Sequence, residues 1–526
     1  MILLQAFIRG RKLDKNEILK EIYGNEEKTQ LLDKTVEIPA PQTMKELYNT
    51  LHEAGKKWRE ANTVTEFYTN GEKKGQVKSK KTALPRPLDV ANILKKTCYF
   101  VFIGRGITTD QNLLYLYNLD EGIYIASVDI FNKLCIEFDS RLRSKHFREI
   151  QIVLRTMTKL KEPLSDRNLI PVKNGIFDLK RKALLPFSPS YIIKSKINTA
   201  YHDKPMKPIL DKWFDFDEWL KSIACNDEDI VTLLWQIMNE AINPNYTRGK
   251  MAILYGEGNN GKGTFQSLLI NLIGAKNISN LKPNQFEESF QLSALEGKVC
   301  NIGDDISNKY LDEVSDLMSV VTGDSVHVNP KHQQPYEAVY KCFCLFSGNE
   351  LPKARAKNQG WYRRLCIVPF NADFNGQKEK PEIKNQYLKD ERLLEWVLYR
   401  ILNLEKFDKF IEPQAVKELL SEYKINNDFY FSFVTTFYIP NGYHELQHVP
   451  LAIIKDWLKD FTSNEGINDP NLYGHGQKVT ALLNKETKNK YTVKSFRVSE
   501  KDKKRIAPQS WQEKSLIGSV KGIYKQ

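Results

Sequence analysis

The sequence predicts an α/β fold, and three observations carry that prediction. The apolar run Met251-Ala252-Ile253-Leu254-Tyr255 reads as a short buried strand that leads straight into Gly256-Glu257-Gly258-Asn259-Asn260-Gly261-Lys262-Gly263-Thr264. Phe265, Leu268, Leu269 and Leu272 then recur at helical spacing. Further along, two more apolar runs of strand length end in polar residues: Val299-Cys300-Asn301-Ile302-Gly303 before Asp304-Asp305, and Cys342 to Ser347 before Gly348-Asn349-Glu350. Strands that alternate with helical stretches and carry polar groups at their carboxyl ends make an α/β arrangement with its chemistry along one edge.

Strand, glycine-rich loop and helix start together make a phosphate-binding loop. The glycines let backbone N–H groups curl around polyphosphate, the helix N-terminus adds positive potential, and Lys262 reaches the terminal phosphates. Gly-x-x-x-x-Gly-Lys alone recurs in unrelated loops; a strand before it and a helix after it make the signal specific. Gly256, Glu257, Gly258, Asn259, Asn260, Gly261, Lys262, Gly263 and Thr264 are therefore the candidate nucleotide-binding positions. One residue departs from the pattern: Gly263 stands where Ser or Thr normally offers a hydroxyl to Mg²⁺. The nearest hydroxyl is one place on, so Thr264 joins Asp304 as a candidate metal ligand, with ATP and Mg²⁺ as the expected cofactors.

The bulk numbers bound the rest. A chain of 526 residues exceeds one compact core, so three or four domains are expected. Hydrophobic content of 41% supports well-formed cores and argues against disorder. Lys+Arg 78 against Asp+Glu 65 leaves +13, which suits a nucleic-acid partner or an anionic membrane surface as well as a merely soluble basic chain. The seven cysteines show no C-x-x-C pair and mostly sit in apolar runs, as buried small hydrophobes of a reducing cytosol do. The start, Met1 to Phe7, is too short for a signal core and meets Arg9 and Arg11 at once. No run approaches the roughly 20 apolar residues of a membrane span, so a soluble, cytoplasmic protein is expected.

The elements follow in order. Residues 1–85 read as an amino-terminal helical region, periodic around Ile18 and Leu47, ending in a polar, basic stretch from Asn70 to Pro87 that serves as linker or exposed arm. Residues 86–205 form an α+β domain, with strands at Cys98–Ile103, Leu113–Tyr117 and Gly122–Ala126 and a turn at Asn174-Gly175. Residues 206–245 are a helical collar through Trp213, Phe216, Trp219, Leu220, Ile223, Leu233, Leu234, Ile237 and Met238. Residues 246–375 are the nucleotide-binding core, and 376–438 a helical extension marked by Leu393, Leu394, Val397, Leu398, Ile401 and Leu402. Residues 439–526 order as helix, helix and basic strand pair, the layout of a winged helix-turn-helix. Lys478 to Arg505 holds ten Lys/Arg and three Asp/Glu, a net of +7 in 28 residues, which points to DNA contact.

Downstream of the loop the chain supplies what phosphoryl transfer to water needs. Asp304 is placed to hold the metal and Asp305 to orient the attacking water. Asn349, at the tip of the second apolar strand, is placed to touch both the γ-phosphate and that water. Arg363 and Arg364, just before the strand Leu365–Phe370, can reach the γ-phosphate of a neighbouring subunit's site. Between them, Val320 to Tyr340 reads as a β-hairpin with its tip at Asn329–Pro335, where Lys331 and His332 would face phosphates if the hairpin lined a channel.

In this order and spacing, GEGNNGKGT, NIGDD, TGDSVHVNPKH, FSGNELP and WYRRLCIVPF resemble superfamily III helicases, above all the poxvirus- and phage-type primase-helicase branch. LIPVKNGIFDL…LLPFSPSY and the helical block after it resemble that branch's amino-flanking domain, and the whole layout is similar to replication initiator helicases of staphylococcal pathogenicity islands and cassette elements. The motif match covers residues 250–372; 165–250 match less closely, and the two ends only in layout. The resemblance implies an AAA+-like P-loop NTPase core that assembles as a homo-hexameric ring on single- and double-stranded DNA. It also implies ATP held between subunits, 3′→5′ translocation, Lys331 and His332 tracking a strand, origin DNA on a winged-helix tail, a separate primase or polymerase as partner, and a bacterial host carrying a phage or mobile island. The chain departs from the family at Gly263 and at Asp305, where a longer Glu is common.

Three other readings compete. Nucleoside monophosphate kinases also carry Lys-Gly-Thr, but they are single compact domains with an Arg-rich lid that this chain lacks. A fused primase needs clustered carboxylates; its one candidate pair, Glu137 and Asp139, lies where Val128, Phe131, Leu134, Phe138 and Leu142 recur at helical spacing, and acids two apart on a helix diverge by about 200°. An origin-binding ATPase that acts only as an assembly switch is the third.

Overall fold

The computed structural model describes residues 41–103, 113–307, 310–331, 334–356, 358–376, 379–464, 472–506, 516 and 518–526. The helical periodicity expected before residue 41, and His332, lie outside them. The described residues divide into two compact units, one of 41–103 and 113–161 and a second from Glu162 onward.

In the first unit, helix α1 (Met44–Ala61) starts where the Thr43 side chain accepts the Glu46 N–H. Strands β1 (Thr63–Phe67) and β2 (Val77–Thr82) pair as an antiparallel ribbon. The basic stretch expected to be linker or arm is thus one-third strand. Its alternation of Val77, Lys78, Ser79, Lys80 and Lys81 lets one edge pair with Thr63–Phe67 while both faces stay largely exposed. After α2 (Pro87–Thr97), strands β3 (Phe100–Ile103), β4 (Leu113–Asn118) and β5 (Ile123–Ile125) form as expected. Helices α3 (Val128–Phe138) and α4 (Ser144–Met157) then lead to β6 (Leu160–Lys161), and the sheet order is β5-β4-β3-β6. One apolar cluster joins Leu47 and Leu51 of α1 to Leu94, Leu134, Phe138 and Ile150, so the boundary drawn after residue 85 runs through a single core. Asp139, just past α3, is buried with both carboxylate oxygens on Arg141 (2.7 and 2.9 Å). Burial opposes its ionisation, but the Arg141 bonds prevail and hold its pKa below the usual carboxylate value.

The second unit opens with the antiparallel strands β7 (Leu169–Val172), β8 (Gly175–Asp178) and β9 (Ala183–Leu185), turning at Asn174 as expected. Helices α5 (Phe216–Ile223) and α6 (Glu228–Ala241) follow, with Asp215 and Asp227 as side-chain N-caps. The collar is helical from Phe216 onward; Trp213 precedes the first helix. Strand β10 (Met251–Tyr255), helix α7 (Lys262–Ile273), and strands β11 (Ile278–Ser279) and β12 (Cys300–Gly303) come next. Helix α8 (Ser315–Thr322) and the hairpin β13 (Ser325–Val328) and β14 (Tyr336–Val339) precede β15 (Phe343–Gly348) and β16 (Leu365–Pro369).

Five strands form one parallel sheet in the order β11-β12-β15-β10-β16. Both faces are covered, and the period of two shows along β10: Ala252 and Leu254 join the cluster with α7, Met251 and Ile253 the one with α8. The first of these clusters runs unbroken from Ile170 through α5, α6 and α7 to α9 (Glu391–Leu402) and Val416 of α10 (Gln414–Asn427). Flanking strands, collar, core and extension therefore share one interior.

Past α10 a separate cluster holds the tail. Strand β17 (His448–Pro450), helices α11 (Leu451–Asn464) and α12 (His475–Glu486), and strands β18 (Tyr491–Arg497) and β19 (Ser519–Lys525) build a three-stranded antiparallel sheet, β17-β19-β18, with the helices against it. Six cysteines are buried as expected; Cys225 is exposed, because it turns the corner between α5 and α6 at φ +52°.

Candidate nucleotide-binding site

The loop between β10 and α7 is held by backbone constraints that explain its glycines. A Cβ on Gly256 would lie 2.2 Å from the Phe370 carbonyl oxygen, and Gly261 adopts φ +92° with Ile223 2.7 Å from where a Cβ would go. The buried Asn260 stitches the loop together, donating from Nδ2 to the Phe370 carbonyl at 2.7 Å and to the Glu257 carbonyl at 2.5 Å. Asn259, at φ +52°, donates to Asn375 Oδ1 (2.8 Å) and accepts the Phe374 N–H through its carbonyl (3.0 Å).

Lys262 opens α7 and points back under the loop. Its Nζ has four acceptors within hydrogen-bond distance for its three protons: the carbonyls of Gly256 (2.7 Å) and Glu257 (2.9 Å), Asn260 Oδ1 (3.1 Å) and Asn349 Oδ1 (3.1 Å). Burial lowers its pKa, and the Asp304 carboxylate opposes that shift. Asn349 reaches Lys262 because β15 lies directly beside β10, in register Tyr255 with Gly348.

Asp304 follows β12 on the other side of β15. Its Oδ1 accepts the Ser347 hydroxyl and the Asp305 N–H (2.9 Å). Asp305 is exposed at φ +49°, a left-handed conformation that Asp adopts more readily than most non-glycine residues, and its carbonyl accepts Lys282 Nζ at 2.8 Å. The strand order therefore gathers the loop lysine, Asn349 and the acidic pair at the carboxyl ends of three adjacent strands. Ser347 and the buried Gln266, whose Oε1 lies 3.3 Å from the Ser347 hydroxyl, complete the cluster. Sequence reasoning missed both; the signal was a hydroxyl ending a strand in a chain whose loop has lost its own.

Thr264 is among the residues lining a cavity of about 500 Å³ beside the loop, with Trp213, Trp219, Asn259, Phe374 and Lys384. Lys380 Nζ sits 5.6 Å from the Trp213 ring centre. The hydroxyl bonded to Asp304 comes from Ser347, not Thr264.

Arg363 and Arg364 lie at the opposite edge of the sheet. The Arg364 carbonyl accepts the Met251 N–H (2.8 Å) at the amino end of β10, so the length of that strand, about 16 Å at 3.3 Å per residue, separates the pair from the loop. Arg363 is exposed; Arg364 is half-buried and bonded to the Gly360 carbonyl at 2.5 Å. The expected hairpin forms between Ser325–Val328 and Tyr336–Val339, while Val320–Thr322 belong to α8; Val326 and Val328 are buried and Lys331 is exposed near the tip, 4.9 Å from the Phe290 ring centre. In the tail, part of the positive charge is taken up internally: Lys478 lies over Tyr430, Lys494 over Tyr524, and Lys503 pairs with Glu500.

Two family profiles match parts of the chain. Residues 254–364 match a family of unknown function (DUF5906), and residues 137–225 match one described as D5 N terminal like. The chain is 25% identical over 239 residues to "Putative helicase 121R" of Invertebrate iridescent virus 3, and 24% identical over 300 residues to "Putative helicase L207/L206" of Acanthamoeba polyphaga mimivirus. The matches take in 42% and 51% of this chain but only 25% and 30% of those relatives. In fold, 84% of the chain superposes on the whole of the A-form apo structure of the NrS-1 C-terminal region, with a TM-score of 0.50 at 12% identity. No helix among the described residues is long and apolar enough to cross a membrane.

Proposed function

We propose that this chain is an ATP-dependent DNA helicase acting in replication. The observation that carries the reading is the contact between Lys262 and Asn349, backed by Asp304 one strand further on. Three adjacent strand ends thereby present a cation, an amide and a carboxylate to one point. That set suits a nucleoside triphosphate whose terminal phosphate is attacked by water. The similarity to two viral proteins named as helicases, and to a D5 N terminal-like segment, supports unwinding as the work done.

In this reading the loop amides and Lys262 bind the β- and γ-phosphates, and Asn349 fixes Lys262 while facing the γ-phosphate. Asp305, held outward by its turn, orients the attacking water. The residues fit Mg²⁺, since an exposed carboxylate, Asp304, stands beside the phosphate lysine; bound there, the ion neutralises developing charge on the phosphates. Thr264 and the aromatic cavity take the sugar and base of ATP. Arg363, exposed and remote from its own loop, serves a neighbouring subunit in a ring, taken as a hexamer. Lys331 and His332 contact a strand in the channel with 3′→5′ polarity. The tail, with two helices against a three-stranded sheet, binds duplex as a winged helix.

The test is unwinding of forked DNA with a 3′ tail. Wild-type protein should separate the strands only with ATP and Mg²⁺, and Lys262→Ala should hydrolyse and unwind nothing. ATP hydrolysis without strand separation on any fork would leave the assembly-switch reading in its place.

A further inference from the structure

The loop lacks the hydroxyl that normally follows its lysine, yet Asp304 is not without one. The Ser347 hydroxyl, on the neighbouring strand and 1% exposed, donates to Asp304 Oδ1. Ser347 in turn meets Gln266, which stands on α7 one turn after Lys262 and is 2% exposed. A serine hydroxyl has one proton, so it cannot donate both to Asp304 and to Gln266 Oε1. Gln266 Nε2, meanwhile, is buried with no hydrogen-bond partner. The proton conflict at Ser347 is removed when the amide turns over: Nε2 donates to Ser347 Oγ, Ser347 donates to Asp304, and the buried position without a hydrogen-bond partner passes from Nε2 to Oε1.

We propose that Ser347, oriented by Gln266, is the positioning residue that aims the Asp304 carboxylate at the nucleotide's metal ion, in place of the hydroxyl that Gly263 lacks. The proposal rests on the nucleotide-site reading above. In the usual loop a hydroxyl on the first turn of the helix links that helix to the acidic strand. Here the link runs from the same helix through Gln266 and Ser347 and reaches the same carboxylate. With Oδ1 engaged by Ser347 and the Asp305 N–H, the second oxygen, Oδ2, is left to face the ion. Gly263 then needs no side chain, and a Cβ there would meet only Lys384 Nζ at 3.7 Å, so the position has room for the missing hydroxyl.

The room at Gly263 supplies the test. A fluorescent ATP analogue is titrated into wild type, Ser347→Ala, Gly263→Ser and the double variant, in EDTA and over a series of Mg²⁺ concentrations, with thermal melting to confirm folding. Ser347→Ala should bind the analogue as wild type does in EDTA but need about tenfold more Mg²⁺ to reach tight binding, as loss of a metal site's supporting hydrogen bond does. Gly263→Ser in the Ser347→Ala background should recover most of that loss, an outcome that a purely structural role for Ser347 does not produce. Gln266→Met, which removes the donor but leaves Ser347, should shift the Mg²⁺ requirement the same way by a smaller factor, and it carries the test if Ser347→Ala does not fold. An unchanged Mg²⁺ requirement in folded Ser347→Ala, or in Gln266→Met where that variant carries the test, overturns the proposal alone. Wild-type protein that binds no nucleotide with or without Mg²⁺ overturns the nucleotide-site reading and this proposal together.

Discussion

The side chains that residue type and spacing can mark were legible in the sequence. Lys262, Asp304 and Asn349 each end or follow an apolar run at a distance that only a folded sheet brings together, and the sheet does so. Ser347 and Gln266 were not legible, because a buried polar residue inside an apolar run looks like filler until its partner across the strand is known. Asn349 gives the sharpest expectation at this scale. It touches Lys262, so under the proposed function Asn349→Ala should lower kcat for ATP hydrolysis by about 10²-fold with little change in nucleotide affinity. Equal losses in both would make Asn349 a binding residue only. A second residue to test lies outside the site. Glu240 is fully buried and meets the Arg248 guanidinium, which also packs 3.9 Å from the Phe407 ring centre. Removing one partner of a buried pair strands the other charge, so Arg248→Ala should cost about 3–5 kcal/mol in chemical denaturation. A loss below about 1 kcal/mol, typical of an exposed pair, would show that water reaches Glu240.

Elements with a strong period were read correctly, and those whose form depends on a partner were not. The hairpin strands β13 and β14 and helix α9 announce themselves by alternation and by three-four spacing, although Val320–Thr322, read as the start of the hairpin, close helix α8. The ribbon of β1 and β2 did not, because its second strand is half lysine and only pairing with Thr63–Phe67 makes it a strand. The β13–β14 hairpin is the element whose role can be isolated. Its buried valines fix it to the core while Lys331 projects from the tip. Lys331→Ala should therefore leave basal ATP hydrolysis within about twofold of wild type and abolish strand separation, with one phosphate contact fewer in the salt dependence of DNA binding. Normal unwinding by Lys331→Ala would remove the hairpin from the DNA path.

At the scale of the whole molecule, domain limits were the least legible feature. The apolar cluster from Ile170 to Val416 draws on segments hundreds of residues apart, and no composition shift along the chain records which of them meet. The same scale decides what the arginine pair does. Arg363 and Arg364 precede β16 at the amino edge of the sheet, whereas the loop leaves β10 at the carboxyl edge, so both arginines lie a strand's length from their own chain's loop. If Arg363 acts, it acts on another subunit, and that can be read without knowing the size of the ring. Arg363→Ala and Lys262→Ala should each hydrolyse ATP at least 10²-fold more slowly than wild type. Mixed together, they form some interfaces in which an intact Lys262 site faces an intact Arg363, and hydrolysis should rise well above either variant alone, to a maximum near equal ratios. A mixture no faster than the sum of its parts, in protein shown by ultracentrifugation to co-assemble, would leave the arginines a structural role at the sheet edge.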